Sequence, residues 1–162
     1  MKVFSFPIVI FACSLLFSSC SSGKEEVGNP ILLPTMMPRV EEGRLGTETE
    51  IPHEEKILIY VDSMHCGACQ IMRLRGLQQQ IKRIDKPVYI VLDAPQVEIR
   101  PLLNMIYSSK MDIPVFFDLN HEIAIKNREQ LDKRSSVHVW WLDDNNVLLE
   151  KGEENVLMKG RF

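Results

Sequence analysis

Apolar and polar positions fall into two regimes along this chain. Compact aliphatic and β-branched runs recur at Lys56-Ile57-Leu58-Ile59-Tyr60-Val61-Asp62, Pro87-Val88-Tyr89-Ile90-Val91-Leu92-Asp93, Ile113-Pro114-Val115-Phe116-Phe117-Asp118 and Val137-His138-Val139-Trp140-Trp141-Leu142. Bounded by charged or turn residues, they read as buried strands. Between the first two, Gln70 to Ile84 carries Ile71, Leu74, Leu77 and Ile81 on one helical face. Strand, helix and strand in that order predict a βαβ unit with parallel strands. A second helix is predicted from about Gln96 to Ser109, shortened by Pro101 to a start near that residue. A third is predicted from Asn120, as its N-cap, to Leu131. Asp143-Asp144-Asn145-Asn146 is a turn cluster, so Val147-Leu148-Leu149-Glu150 is expected to return against the 137–142 strand as a hairpin.

The start of the chain has a different pattern. Lys2 is followed by an apolar stretch from Val3 to Phe17, about 15 residues against the about 20 that a membrane-spanning helix needs, and this reads as an export signal. Leu16-Phe17-Ser18-Ser19-Cys20 is similar to the lipobox of bacterial lipoproteins, in which the cysteine is lipidated and becomes the mature N-terminus. The resemblance implies a signal peptide over residues 1–19, with Cys20 as the lipidation site. Ser21-Ser22-Gly23-Lys24-Glu25-Glu26 looks like the surface-export signal of Bacteroidota lipoproteins and reads equally well as a solvated spacer. From Val27 to Pro52 the chain mixes Pro30, Pro34, Pro38 and Pro52 with glycines and glutamates, without a period, so residues 20–52 are expected to form a flexible lipid-anchored tether, with a loosely docked arm as the other reading. Ile31-Leu32-Leu33 and Met36-Met37 leave open an edge strand packed on the domain. The folded domain is expected over residues 53–162.

Composition narrows the function. The chain has 162 residues, 45% of them apolar, which suits one domain beyond the leader. A net charge of −3 gives no reason to expect a nucleic-acid partner. Of the cysteines, Cys13 and Cys20 belong to the leader and its end, leaving Cys66 and Cys69 in the domain. A lone pair at this spacing reads as redox-active or metal-binding rather than as a disulfide framework.

That pair sits in Met64-His65-Cys66-Gly67-Ala68-Cys69, between the first strand and its helix. Unsatisfied N–H groups and the dipole at a helix N-terminus favour a negative charge, and a thiolate is one. Cys66 is therefore the expected nucleophile, its pKa lowered further when His65 is protonated. Cys69, one turn on, is the expected resolving thiol. Gly67 lets the backbone turn tightly.

The order βαβ, helix, hairpin, with ILIYVDS, CGAC, VYIVLD, IPVFFD and VHVWWLDDNNVLL as its carrying segments, resembles the thioredoxin superfamily over Lys56 to Gly152. The likeness is to membrane-anchored thiol-disulfide oxidoreductases of bacterial envelopes, especially thioredoxin-like lipoproteins of Bacteroidota. It implies an α/β fold, a three-layer sandwich with a central mixed β-sheet, here with a shortened C-terminal helix. Residues 113 to 131 fit the strand and helix that the family commonly inserts before the hairpin. In the family a cis-proline before the hairpin strand docks substrate; Ser136 and Val137 hold that place here, and Pro114 is a rival. Ala68 stands where many such motifs carry proline, and His65 where the family has tryptophan. The family's buried proton acceptor aligns with Tyr60, with Asp62 as the nearest substitute.

The resemblance implies disulfide exchange with client proteins through Cys66 and Cys69, the reductase direction slightly favoured. His65, Gly67, Ala68 and Asp62 are then modulating residues. No cofactor or metal is called for beyond the redox-active Cys66-Cys69 disulfide. The implied partners are clients with disulfides, an electron-donor protein, and the membrane through the lipid anchor. The implied place is the cell envelope, as an outer membrane lipoprotein facing the periplasm or the cell surface. Two alternatives stay open. Met-x-Cys-x-x-Cys is also a Cu(I)-binding signature, and the domain also fits a non-catalytic binding scaffold. His138 reads as a hydrogen-bonded, half-buried histidine, Trp140 and Trp141 as residues on opposite sheet faces, and Arg73, Arg75, Lys82 and Arg83 as a solvated helix face.

Overall fold

The computed structural model describes residues 28–62, 67–95, 99–153 and 157. Strands β1 (Met37–Glu41), β2 (Arg44–Thr49), β3 (Lys56–Val61), β4 (Val88–Asp93), β5 (Val115–Asp118), β6 (Val137–Leu142) and β7 (Leu148–Glu153) form one sheet. Its order is β2-β1-β5-β4-β3-β6-β7. Helices α1 (Gly67–Ile81), α2 (Ile99–Ser109) and α3 (Glu122–Lys126) complete the fold. β3, β4 and β5 run parallel, as helix crossovers require, while β6, β7, β1 and β2 are antiparallel additions at the two edges. This is the expected α/β architecture around a mixed central sheet.

Each face of the sheet buries its own apolar cluster, so the central strands are hydrophobic on both sides. Ile57, Ile59 and Val61 of β3 face α1 and α2, meeting Ile71, Leu74, Leu77, Leu102 and Ile106. Leu58 and Tyr60 face the other way, with Val91, Phe116 and Trp140. Trp140 and Trp141 divide between the faces as their alternation predicts. Trp140 is fully buried, whereas the half-buried Trp141 donates its indole N–H to Glu55 at 2.9 Å beneath Lys86.

Residues 28–52 correct the expected tether. They carry β1 and β2 and bury Ile31, Met37 and Ile51 at 2%, 1% and 4% exposure in the second cluster. The open reading of an edge strand in this segment is the nearer one. Val40, partly buried, also packs against the α1-side cluster, so β1 contributes to both faces. Glu42 and Gly43 both have positive φ, 49° and 76°, which is the turn that a two-residue hairpin loop demands. A Cβ at Gly43 would stand 2.9 Å from the Tyr107 side chain. The arm before β1 pairs with the β6–β7 turn: Gly28 N–H donates to Leu148 O at 2.8 Å, Leu148 N–H to Asn29 O at 2.9 Å and Ile31 N–H to Asn146 O at 2.8 Å. Farther along the arm, Leu32 N–H donates to Asn127 Oδ1 at 2.7 Å, and Asn127 Nδ2 returns a bond to Leu32 O at 3.0 Å.

That clamp explains why α3 is shorter than predicted. Asn127, buried, turns its amide to the arm and to Ile123 O, closing the helix well before Leu131. Its start also differs, because His121 rather than Asn120 is the N-cap, in a left-handed conformation without a side-chain cap. The capping oxygens come from the end of β5, where Asp118 accepts the N–H groups of Glu122 at 3.0 Å and Ile123 at 2.8 Å. α2 begins two residues before Pro101, which sits in the first turn where helix N–H groups lack intrahelical partners anyway. The shortened C-terminal helix lies outside the described residues except for Leu157, helical and buried in the α1-side cluster. The signal segment and Cys20 also lie outside them. Among the described residues, no helix is long and apolar enough to cross a membrane.

Candidate active site

The C-terminal ends of the parallel strands form one pole of the sheet, and α1 starts there. Residues 63–66, with His65 and Cys66, lie outside the described residues. Gly67, Ala68 and Cys69 form the first turn of α1, and Cys69 is exposed. The next residue, Gln70, is buried and turns inward, its Nε2 donating to Ser136 Oγ at 2.7 Å. Arg73 Nη1 in turn donates to Gln70 Oε1 at 3.3 Å.

Ser136 is the hub of this pole. Its hydroxyl accepts from α1, and its carbonyl accepts Asp62 N–H at 3.0 Å, so the loop before β6 is fastened to both flanks of the cysteine motif. Ser135 shapes the same loop, its Oγ donating to Val137 O at 2.7 Å. Val137 is buried on the α1 side opposite Val61. The structure thus brings Asp62, Ser136 and Val137 to the end of the sheet where the motif begins.

Asp62 is 6% exposed, and its Oδ2 lies 3.4 Å from His138 Nε2. His138 is fully buried, beyond the half-burial expected, with its ring centroid 6.1 Å from those of Tyr60 and Trp140. Burial pushes the His138 pKa down, outweighing the pull of Asp62 in the other direction. The unfolded chain therefore takes up the proton first as pH falls below the ordinary histidine value of 6.5, and stability drops there until the folded residue titrates as well. His138→Gln is expected to flatten this part of a stability profile measured by urea denaturation between about pH 6.5 and 5. An unchanged slope would remove the assignment.

Tyr60, read from the sequence as the counterpart of a buried proton acceptor, points away from α1 and stacks on Trp140 at 5.7 Å. Burial and the surrounding carboxylates Asp93, Asp118 and Asp62 hold its hydroxyl far above the ordinary tyrosine range, so it stays neutral. The β3 positions facing α1 are Ile57, Ile59 and Val61, so this strand puts no ionisable side chain beneath the helix.

Sequence reasoning missed the partners of these residues. Asp62, Asp93 and Asp118 close the runs YVD, VLD and FFD, and that repeat is the signal that a polar row crosses the strand ends. Asp93 and Asp118 stand opposite each other in register; Asp93 binds His121, and burial raises the Asp118 pKa. Gln70 had no sequence signal, since its partner is sixty-six residues away.

No family model and no curated protein matches the chain. Solved structures do. A domain described as a possible thiol-disulfide isomerase from Cytophaga hutchinsonii superposes with a TM-score of 0.58 at 22% identity, covering 82% of this chain and 88% of that one. The fold is thioredoxin-like. A thiol-disulfide oxidoreductase from Bacteroides fragilis gives 0.52 at 13% identity, over 82% of this chain and 96% of that one. The reduced 2-Cys peroxiredoxin of Plasmodium vivax gives 0.56 at 12% identity, over 83% and 93%. In this thioredoxin-like fold Cys69 lies in the first turn of α1, at the strand-end pole.

Proposed function

We propose that this chain is an envelope thiol-disulfide oxidoreductase, tethered through a lipidated Cys20, with the reductase direction slightly favoured. The carrying observation is the placement of Cys69, exposed in the first turn of the helix that follows β3, the first of the three parallel strands of a thioredoxin-like sheet. Cys66 attacks a client disulfide as thiolate, forming a mixed disulfide and releasing one client thiolate. Cys69 then loses its proton and attacks Cys66, forming the Cys66-Cys69 disulfide and releasing the second client thiol. Two electrons pass to the client, and a dithiol donor protein returns the pair to its reduced form. His65, Gly67 and Ala68 tune the nucleophile, Asp62 modulates the pole, and Ser136 and Val137 dock the client backbone. No further cofactor takes part.

The fold weighs against the Cu(I)-carrier reading. Heavy-metal-associated domains follow the metal helix with an antiparallel pair, whereas here β4 is parallel to β3 and leads into α2.

Cys66→Ser is expected to lower disulfide reduction by the full chain to the uncatalysed rate, and Cys69→Ser to accumulate mixed disulfides with clients on non-reducing gels. Retention of reductase activity by Cys66→Ser would remove the reading. Mass spectrometry of the membrane fraction is expected to find Cys20 lipidated at a new N-terminus.

A further inference from the structure

The outward face of α1 carries a feature that thiol exchange alone does not require. At about 100° per residue, Cys69, Met72, Arg73, Gly76, Gln80 and Arg83 fall along one stripe. Arg83 extends it past the last helical residue, because Lys82 N–H donates to Gln78 O and Arg83 N–H to Gln80 O, both at 3.0 Å. Cys69, Arg73, Gly76 and Arg83 are exposed, as is Met72 at 53%.

Two independent properties of this stripe point outward. Its charge has one sign: its two charged side chains, Arg73 and Arg83, are both cationic, while Arg75 and Lys82 lie on another side of the helix, where Lys82 pairs with Asp112 at 2.5 Å. The nearest carboxylate before the motif, Asp62, is buried, and among the described residues no salt bridge engages Arg83. The second property is Gly76. A mid-helix glycine costs about 0.5–1 kcal/mol relative to alanine. A Cβ there meets nothing within 4 Å among the described residues, so none of their packing calls for its absence. What glycine leaves is a flat saddle between Met72 and Arg83 where another backbone can lie close to the helix.

Resting on the oxidoreductase reading, we infer that α1 docks an extended, acidic segment of the client, laid from Arg83 over Gly76 to Met72 so that its disulfide reaches the motif. Arginines supply steering and register, Met72 adapts to the apolar residue beside the client sulfur, and Gly76 admits the main chain.

The reduced full chain is tested with two synthetic peptides that share one disulfide loop and carry either glutamates or lysines beside it. Rates are taken at about 20 and 200 mM salt and normalised to exchange with 4,4′-dithiodipyridine, a small uncharged disulfide that reports thiol reactivity. The glutamate peptide is expected to react about tenfold faster at low salt, with the gap closing at high salt. Arg83→Glu and Gly76→Leu are each expected to bring its normalised rate near that of the lysine peptide. Equal rates for the two peptides at low salt, or a glutamate-peptide rate untouched by both substitutions, would overturn the inference. If dithiodipyridine reacts and neither peptide does, the oxidoreductase reading fails instead. Fluorescence anisotropy of the labelled peptides on the full chain carrying Cys66→Ser and Cys69→Ser then decides the surface separately. Salt-sensitive preference for the glutamate peptide upholds it, and equal binding of both removes it.

Discussion

A chain cut to residues 53–162 is expected not to fold, while one beginning at Gly28 unfolds in a single cooperative transition. The shorter chain is the one hydropathy alone would choose. It lacks Ile31, Met37 and Ile51, whose burial contributes about 1.5–3 kcal/mol each, against a typical total stability of about 5–15 kcal/mol. It also strips β1 from β5, exposing a central edge, and leaves Asn127 buried without the Leu32 groups it bonds. Circular dichroism and urea denaturation of the two chains check this. A cooperative transition of equal midpoint in the 53–162 chain would mean that the arm is only a passenger.

Trp140→Ala is the point substitution expected to cost most stability, about 3–5 kcal/mol for loss of a fully buried large aromatic. Trp140 lies flat on Tyr60, ring planes 7° apart, with His138 beside both rings, so its removal opens a cavity bordered by a buried imidazole and a buried phenol. Its indole N–H has no hydrogen-bond partner among the described residues. Trp140→Phe is therefore expected to cost much less, since it deletes an unsatisfied donor along with part of the ring. Urea midpoints of the two variants separate these outcomes, and similar losses in both would mean that the indole N–H is satisfied after all.

Strands were legible wherever the local pattern was strong enough to outweigh context. The 137–142 strand has the bounds read from its residues, and β3 and β4 differ from theirs by one residue at an end. Both faces of these strands are buried, so an uninterrupted apolar run is their mark. α3 and the arm were not legible, because the contacts that define them join Leu32 to Asn127 and Asp118 to Ile123 across the fold. A mixture of prolines and glutamates looks like a linker until a sheet face offers it a place to bury Ile31 and Met37.

The place of Cys69 at the start of the helix after β3, and the parallel βαβ frame, followed from the sequence alone, because each depends on neighbours within a few turns of chain. Tertiary structure decided the rest of the pole. Gln70 reaches Ser136, Asp62 meets His138, and Tyr60 turns away from α1. Those pairings depend on which face each strand presents once the sheet is assembled, and a shift of one residue in register would reverse it.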